Sequence, residues 1–331
     1  MGLSKAMISI VVPCYNESAV FDRARLALAG LCDSLSEKFA TELIFIDDGS
    51  RDDTWQKITA FAAADARVRG VMLSRNFGHQ FALTCGYDLA RGDAIVSLDA
   101  DLQDPPEIVP RLVEKWQEGF DVVLAVRRRR EGDGWFKRAS ASAFYRLIRA
   151  IGGAQVRADS GDFRLMSRAA LTALNSLREQ HRFIRGMVGW VGFRTAEIVY
   201  DRQPRSAGQT KYSLAKMVRL AVDAIISFSS FPLRVAYWTA LLLMLGSFGY
   251  LVRVIVIHFV YKVPLVPGWS SLLVAIVAFG TMNLVCLGLI GEYIGRIYEQ
   301  GKQRPLYLVK DTVGKRDPAT APSQPPTGER S

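Results

Sequence analysis

Asp99 and Asp101 stand two residues apart at the end of an apolar run, Ala94-Ile95-Val96-Ser97-Leu98, and are followed by Gln103-Asp104-Pro105-Pro106. If that run is a strand, residues two apart project to one side. Two carboxylates ~4 Å apart repel by about 4 kcal/mol at an effective dielectric of about 20, and a divalent cation relieves the repulsion. Hard oxygen donors with few imidazoles or thiolates suit Mg2+ or Mn2+ better than Zn2+, and Mg2+ commonly shares one or two carboxylates with substrate phosphates. A D-x-D pair also serves as a helix cap or a solvated turn, and its place after the apolar run is what makes it specific. Glycine-rich phosphate cradles of the G-x-G-x-x-G and G-x-x-x-x-G-K-[ST] types are absent, so phosphate has to be held by other groups.

The scaffold these residues need is legible as an alternation. Strand-like runs at Ile8–Val12, Glu42–Ile46, Val68–Leu73, Ala94–Leu98 and Val122–Val126 are separated by helical stretches around Ala19–Leu35, Thr54–Ala64, Gln80–Ala90 and Glu107–Gln117. Repeated strand and helix predict a mostly parallel, Rossmann-like sheet covered on both faces. Ligands of such sheets sit beyond the carboxyl ends of the strands. Tyr15-Asn16-Glu17, Asp47-Asp48-Gly49-Ser50, Arg75-Asn76 and Asp99 to Asp104 all fall at those ends, which predicts one rim and one cleft. Asp47 to Ser50 also fits a turn before the next helix, with Asp53 capping from Thr54 onward.

The 331 residues carry 42 Lys and Arg against 32 Asp and Glu, a formal charge of +10, and half the chain is apolar. That composition excludes a disordered or collagen-like chain. Cys14, Cys32, Cys85 and Cys286 form no close pair and only three histidines accompany them, against a structural zinc site or a disulfide framework and in favour of a reducing compartment. The start, Met1-Gly2-Leu3-Ser4-Lys5, lacks the features of a signal peptide.

From Pro232 to Gly295 the formal charges are Arg234, Arg253, Lys262 and Glu292. Residues 235–258 and 269–291 each run to about 23 residues, roughly 35 Å as helix at ~1.5 Å per residue, which is enough to cross a hydrocarbon layer of about 30 Å. The expectation is two transmembrane helices over 232–295. A central Arg253 would cost about 2.5–3.5 kcal/mol, but near a helix end it snorkels to the interface. Basic flanks (Arg202, Arg205, Lys211, Lys216 and Arg219 before; Arg296, Lys302, Arg304 and Lys310 after) predict that both termini and the 1–210 domain face the cytoplasm. Residues 211–231 read as an amphipathic interfacial helix lying on the bilayer, with packing on the domain as the other reading. The 296–331 tail is expected to lose structure after about 311.

Taken together, Val12-Pro13-Cys14-Tyr15-Asn16-Glu17, Ile46-Asp47-Asp48-Gly49-Ser50-Arg51-Asp52-Asp53-Thr54 and Leu98 to Pro106 resemble the family 2 glycosyltransferases with a GT-A fold, and within them the polyprenyl-phosphate glycosyltransferases. The likeness runs from about Ile8 to Lys310. It implies that Pro13, Tyr15 and Glu17 border a nucleoside, that Asp48, with Asp47 beside it, meets base or ribose, and that Asp99, Asp101 and Gln103 organise metal and diphosphate. Asp159-Ser160-Gly161-Asp162-Phe163-Arg164 resembles the acceptor-side segment, where relatives keep a catalytic base. A lipid monophosphate with its second pKa of about 6 is already largely dianionic, so Asp162 could instead orient a group, or pair with Arg164. Arg205-Ser206-Ala207-Gly208-Gln209-Thr210-Lys211-Tyr212 resembles a loop of these enzymes, which makes Arg205 and Lys211 candidates for holding phosphates. Arg127 to Arg130, with Lys137 and Arg138, read as a solvated or membrane-surface patch.

The resemblance implies transfer of one sugar, with inversion, from a nucleotide sugar, UDP-linked rather than GDP-linked, to undecaprenyl or a similar polyprenyl phosphate. The metal would be Mg2+ or Mn2+, and the place the cytoplasmic face of a bacterial inner membrane. Related transferases assemble through soluble and membrane parts, so a homo-oligomer is compatible. No nucleic-acid motif accompanies the basicity. The rival reading is a non-catalytic scaffold or flippase subunit that kept the fold. A processive synthase fits less well, because Q-x-x-R-W is missing.

Overall fold

The computed structural model describes residues 5–128, 160–201, 231–261 and 268–314. Its first unit is an eight-stranded sheet with helices packed against it. In chain order the elements are β1 (Met7–Cys14), α1 (Ser18–Leu35), β2 (Ala40–Asp47), α2 (Thr54–Ala64), β3 (Val68–Leu73), α3 (His79–Leu89) and β4 (Ala94–Ser97). A short 3-10 turn leads into α4 (Val109–Gln117) and β5 (Val122–Arg127), and then come β6 (Ser160–Ser167), α5 (Arg168–Ser176), α6 (Ile184–Trp190) and β7 (Thr195–Tyr200).

The central strands are runs of Val, Ile, Leu and Phe buried on both faces, as a covered parallel sheet requires. The flanking helices bring apolar faces to the sheet. In α1 the face is Phe21, Ala24, Leu28, Leu31, Cys32 and Leu35, at helical spacing. Phe21 and Phe61 pack on either side of Phe45, with ring centroids 5.3 and 5.9 Å from it.

Two pairings position the cleft. β1 lies between β2 and β4, parallel to both, and β3 lies beyond β2. The chain therefore winds outward from β1 to β3 and then returns to the other side of β1 for β4. The reversal makes a topological switch point between β1 and β4, where a crevice opens at the carboxyl ends. The second pairing is antiparallel: β6 is inserted between β4 and β5, with Ser97 opposite Arg164. Continuing that register two residues further places Asp99 opposite Asp162.

The five expected strands are present, and β6, β7 and β8 (Val309–Val313) are additional. β8 pairs antiparallel with β3 and covers what would otherwise be an open edge. It lies in the 296–331 tail, whose residues beyond 314 are outside the described residues. Gly314 ends the strand at φ +91°, and a Cβ there would lie 2.4 Å from the Val68 carbonyl oxygen, so only glycine fits the turn.

The second unit holds two long helices, α7 (Phe231–Tyr261) and α8 (Trp269–Gly301). Both segments expected to be apolar helices are helical. By length and composition, Ala278–Gly301 is apolar enough to cross a membrane, with a mean hydropathy of 1.3, whereas α7 contributes a shorter apolar run, Leu241–Tyr250. Large apolar side chains of α8, among them Leu272, Phe279, Leu287 and Ile294, are exposed. The expected interfacial helix falls, but for its last residue, outside the described residues.

Candidate active site

The rim is assembled by loops that hold one another. After β1, Asn16 takes a left-handed conformation at φ 55°. Its backbone N–H donates to Ser50 Oγ at 2.9 Å, and its Oδ1 accepts from the Arg51 N–H at 2.8 Å. Glu17 N–H donates to Thr54 Oγ1, and Ser18 N–H to Asp52 Oδ2. Asp52 also accepts from Thr54 N–H at 3.1 Å, whereas Asp53, at the helix N-cap position, makes no side-chain cap bond. The expected capping by Asp53 is thus done from one residue earlier, because Asp52 is the residue that reaches both loops. Tyr15 is left 41% exposed on this rim, and Pro13 lies within β1 beside Ile46.

Asp47 and Asp48 face inward. Asp47 is fully buried, and burial pushes its carboxyl pKa up against the hydrogen bonds from Ser50. Asp48 spends both oxygens on the next loop, accepting from Phe77 N–H at 2.7 Å and Gly78 N–H at 2.9 Å. Gly49, at φ +67°, lets the two loops touch, since a Cβ there would lie 2.6 Å from the Arg75 carbonyl carbon. The Arg75 guanidinium stacks over the Phe77 ring at 4.1 Å, stiffening the loop further. In Asp48→Ala both amides lose their acceptor, which costs about 1–3 kcal/mol. The expected result is faster hydrogen exchange at Phe77 and Gly78 with β1 and β2 still protected. Unchanged exchange would remove the clamp.

After β4 the chain turns at Leu102, φ 53°, so that Gln103 N–H donates to Asp101 Oδ1 at 3.0 Å. Gln103 is buried, and its Nε2 has no hydrogen-bond partner among the described residues. Asp104, fully buried, accepts from Arg127 Nη2 at 3.2 Å and from the Tyr200 hydroxyl. Asp99 is partly exposed. Burial first, and then the charges of Asp162, Asp101 and Asp104, raise its pKa, against the opposing pull of His79.

The donor chemistry suits a divalent cation. Carboxylates accumulate at one loop. Among the described residues no group of three or more His, Cys, Asp or Glu could hold an ion by itself. A cation here would take Asp99 and Asp101 and complete its shell with water and phosphate oxygens, as Mg2+ and Mn2+ do.

Facing Asp99 is a cluster centred on Asp162. This carboxylate is buried at the start of β6 and pairs with Arg164 at 2.8 Å, Arg185 at 2.9 Å and His79 Nε2 at 3.2 Å. His79 Nε2 also lies 3.8 Å from Asp99 Oδ1. Burial alone would push the Asp162 pKa up, but the His79 hydrogen bond and the two guanidinium charges hold it far below the ordinary carboxylate range. A carboxylate gripped in this way is a weak proton acceptor. Burial opposes charge on the His79 imidazole, yet the hydrogen bond to Asp162 and the charge of Asp99 raise its pKa overall.

The structure therefore gathers Asp99, Asp101, Gln103 and Asp162, with Tyr15 and Glu17 on the neighbouring rim, while Asp47 and Asp48 lie beneath the rim. Arg205 and Lys211 lie outside the described residues, as do Arg129, Arg130, Lys137 and Arg138. Arg127 pairs with Asp104 and Arg128 with Asp201. Sequence reasoning missed His79 and Arg185. A histidine placed just after a strand's carboxyl end was the available signal for the first, and nothing local marked the second.

Residues 9–174 match the family described as Glycosyl transferase family 2. An uncharacterized glycosyltransferase of Bacillus subtilis (strain 168) is 44% identical over 307 residues, 92% of this chain and 94% of that one. The bactoprenol glucosyl transferase of Shigella phage SfV is 42% identical over 311 residues, 93% and 99% of the two chains. Among solved structures, glucosyl-3-phosphoglycerate synthase from Mycobacterium tuberculosis superposes with a TM-score of 0.48 at 22% identity, over 68% of this chain and 80% of that one.

Proposed function

The chain belongs to glycosyl transferase family 2, and from that premise we propose that it transfers a single sugar from a nucleotide sugar to a polyprenyl phosphate, with inversion at the anomeric carbon. The observation that carries the reading is the facing of two unlike clusters across one crevice. Asp99 and Asp101 lie on the β4 side, and Asp162 with Arg164, Arg185 and His79 lies on the β6 side. The first suits a nucleotide diphosphate bridged by metal, and the second suits an anionic acceptor.

A divalent cation on Asp99 and Asp101 would supply neutralising charge for the departing nucleotide diphosphate. Tyr15 offers an aromatic face to the base, and Gln103 an amide N–H to a phosphate oxygen. Asp162, ionised and immobile, orients His79 and Arg185 rather than taking a proton. None is needed from the acceptor, because its phosphate is largely dianionic at neutral pH. Arg205 and Lys211 would hold phosphates against mutual repulsion. A single displacement without a protein nucleophile inverts the sugar. The bactoprenol relatives and the apolar helices α7 and α8 support a lipid acceptor, with the catalytic unit on the cytoplasmic side of a bacterial membrane. Preference for UDP rests on the resemblance to bacterial members of the family.

The test is a donor screen. Full-length protein in detergent, given labelled nucleotide sugars, Mg2+ or Mn2+ and undecaprenyl phosphate, is expected to form a glycolipid with one donor. Chelation with EDTA abolishes the label and added Mg2+ or Mn2+ restores it. No glycolipid with any donor would sink the proposal.

A further inference from the structure

Asp104 closes the loop that carries Asp99 and Asp101, yet its side chain is turned into the protein and is 1% exposed. The loop runs between two fixed ends. Upstream, Leu98 N–H donates to the Val11 carbonyl at 3.2 Å, and Ser97 Oγ donates to the Asp162 carbonyl at 2.6 Å. Downstream, Pro105 sits at φ −70° and leads into the 3-10 turn, where Ile108 N–H donates back to the Pro105 carbonyl at 3.1 Å. Asp104 stands just before that stiff turn, and Gln103 N–H ties back from it to Asp101. Whatever holds the Asp104 carboxylate therefore aims the stretch that presents Asp101.

The ends of two other strands hold it. Oδ1 accepts from the hydroxyl of Tyr200, the last residue of β7, and Oδ2 accepts from Nη2 of Arg127, the last residue of β5, at 3.2 Å. Arg127 Nε donates to the Tyr200 oxygen at 3.3 Å. A guanidinium only donates, so the hydroxyl accepts from Arg127 and its single proton goes to Asp104. The closed ring of hydrogen bonds is one in which each strengthens the next. The Tyr200 ring meets Phe163 edge-on, with centroids 5.8 Å apart, and Phe163 follows Asp162 in β6. On the other side of Asp162, a Cβ on Gly161 would lie 3.1 Å from Arg127 Nη2. Tyr200 thus joins the loop after β4 to the residues that flank Asp162.

We propose that Tyr200 is a positioning residue of the transferase, whose hydroxyl, through Asp104, sets the pose of Asp101 and with it the affinity of the loop for a divalent cation bridged to a nucleotide diphosphate. This rests on the proposed function. Tyr200 acts through Asp104 and not on the cation itself, since it is buried and its strand is separated from β4 in the sheet by β5 and β6. A loop already held in its binding pose loses little freedom when the cation arrives. Without the hydroxyl, Asp104 keeps Arg127 and the ring of hydrogen bonds is open. The expected cost is about tenfold in affinity, equivalent to about 1.4 kcal/mol and of the size of one hydrogen bond.

The experiment compares full-length wild type with Tyr200→Phe in detergent, a change that keeps the ring against Phe163 and removes the hydroxyl alone. The readings are hydrogen exchange of the metal-free protein, Mn2+ binding in the presence of UDP followed by the paramagnetic resonance of free Mn2+, and transfer to undecaprenyl phosphate as a function of Mn2+. Tyr200→Phe is expected to show faster exchange at residues 101–104 with β5 and β7 still protected, Mn2+ binding about tenfold weaker, and a kcat at saturating Mn2+ within about twofold of wild type. Mn2+ affinity within about twofold of wild type overturns the assignment, whatever the exchange rates. So does faster exchange spread evenly over β4, β5 and β7, which marks a general loosening, and so does a lowered kcat that saturating Mn2+ fails to restore. Should Tyr200→Phe not fold, Asp104→Glu, which keeps the charge and displaces the carboxylate by one methylene, is read in the same way. Wild-type protein that makes no glycolipid would instead sink the function on which the proposal rests.

Discussion

Asp101→Ala is expected to lower glycolipid formation by about three orders of magnitude while leaving the melting temperature within a few degrees of wild type. The activity loss follows from the thin ligand set. Among the described residues no group of three or more carboxylates, imidazoles or thiolates could hold a cation, so if Asp99 and Asp101 hold it as proposed, removing one takes away half of what they supply. A loss of about 4 kcal/mol of transition-state stabilisation is a factor of about 10³. The small stability change follows from position. Asp101 is partly exposed, and among the described residues its one hydrogen bond is accepted from the Gln103 N–H. Removing it also lessens the repulsion that Asp99 feels from its neighbours. Transfer rates and thermal unfolding of the same preparation provide the check, and undiminished transfer would remove Asp101 from the metal site.

Glu42→Ala is expected to do the reverse, costing about 3–5 kcal/mol of stability through a group outside the cleft. Glu42 is 3% exposed in the middle of the sheet. Its Oε1 accepts from Ser9 Oγ at 2.5 Å and from the Arg91 N–H at 2.6 Å, and its Oε2 from Arg91 Nη2 at 3.1 Å. Arg69 Nη1 stands 3.6 Å away, and Ser9 Oγ in turn accepts from Gly92 N–H. Cutting back the carboxylate leaves a buried hydroxyl and a largely buried guanidinium without their anion, so the cost exceeds that of the hydrogen bonds alone. Urea unfolding of the detergent-solubilised protein measures it, with Glu42→Gln, which retains an acceptor at the same reach, expected to fall between. A change below about 1 kcal/mol would show that Ser9 and Arg91 find other partners.

What was legible in the sequence divides along physical lines. The five strands from β1 to β5 announce themselves because a strand covered on both faces must be apolar throughout, and the polar clusters that follow them mark the rim. β6 does not, since Ser160-Gly161-Asp162-Phe163-Arg164 alternates charge with apolar residues as an exposed segment would. Its Arg164 is 1% exposed all the same, with Nη2 donating to Asp162 and to the Gly161 carbonyl. β8 is short and charged, as edge strands are. Asp99 and Asp101 stood out by their spacing together with their place after an apolar run. His79 and Arg185 join them only through the antiparallel register of β4 against β6 and the pinning of α3, neither of which is a local property. Asp48 shows the opposite case: its residue type and place at the rim suggest ligand binding, yet its oxygens are taken by backbone amides.

β8 carries a consequence for the order in which the protein is made. β3 ends at Leu73 and its edge partner begins at Val309, with both long helices encoded between them. At ~5–20 residues per second, ribosomal elongation separates the two strands by something on the order of 10–50 s. Throughout that interval the β3 margin of the nascent sheet has no strand to pair with. β8 is the last described strand to be translated, so the sheet cannot be completed before both long helices have been synthesised.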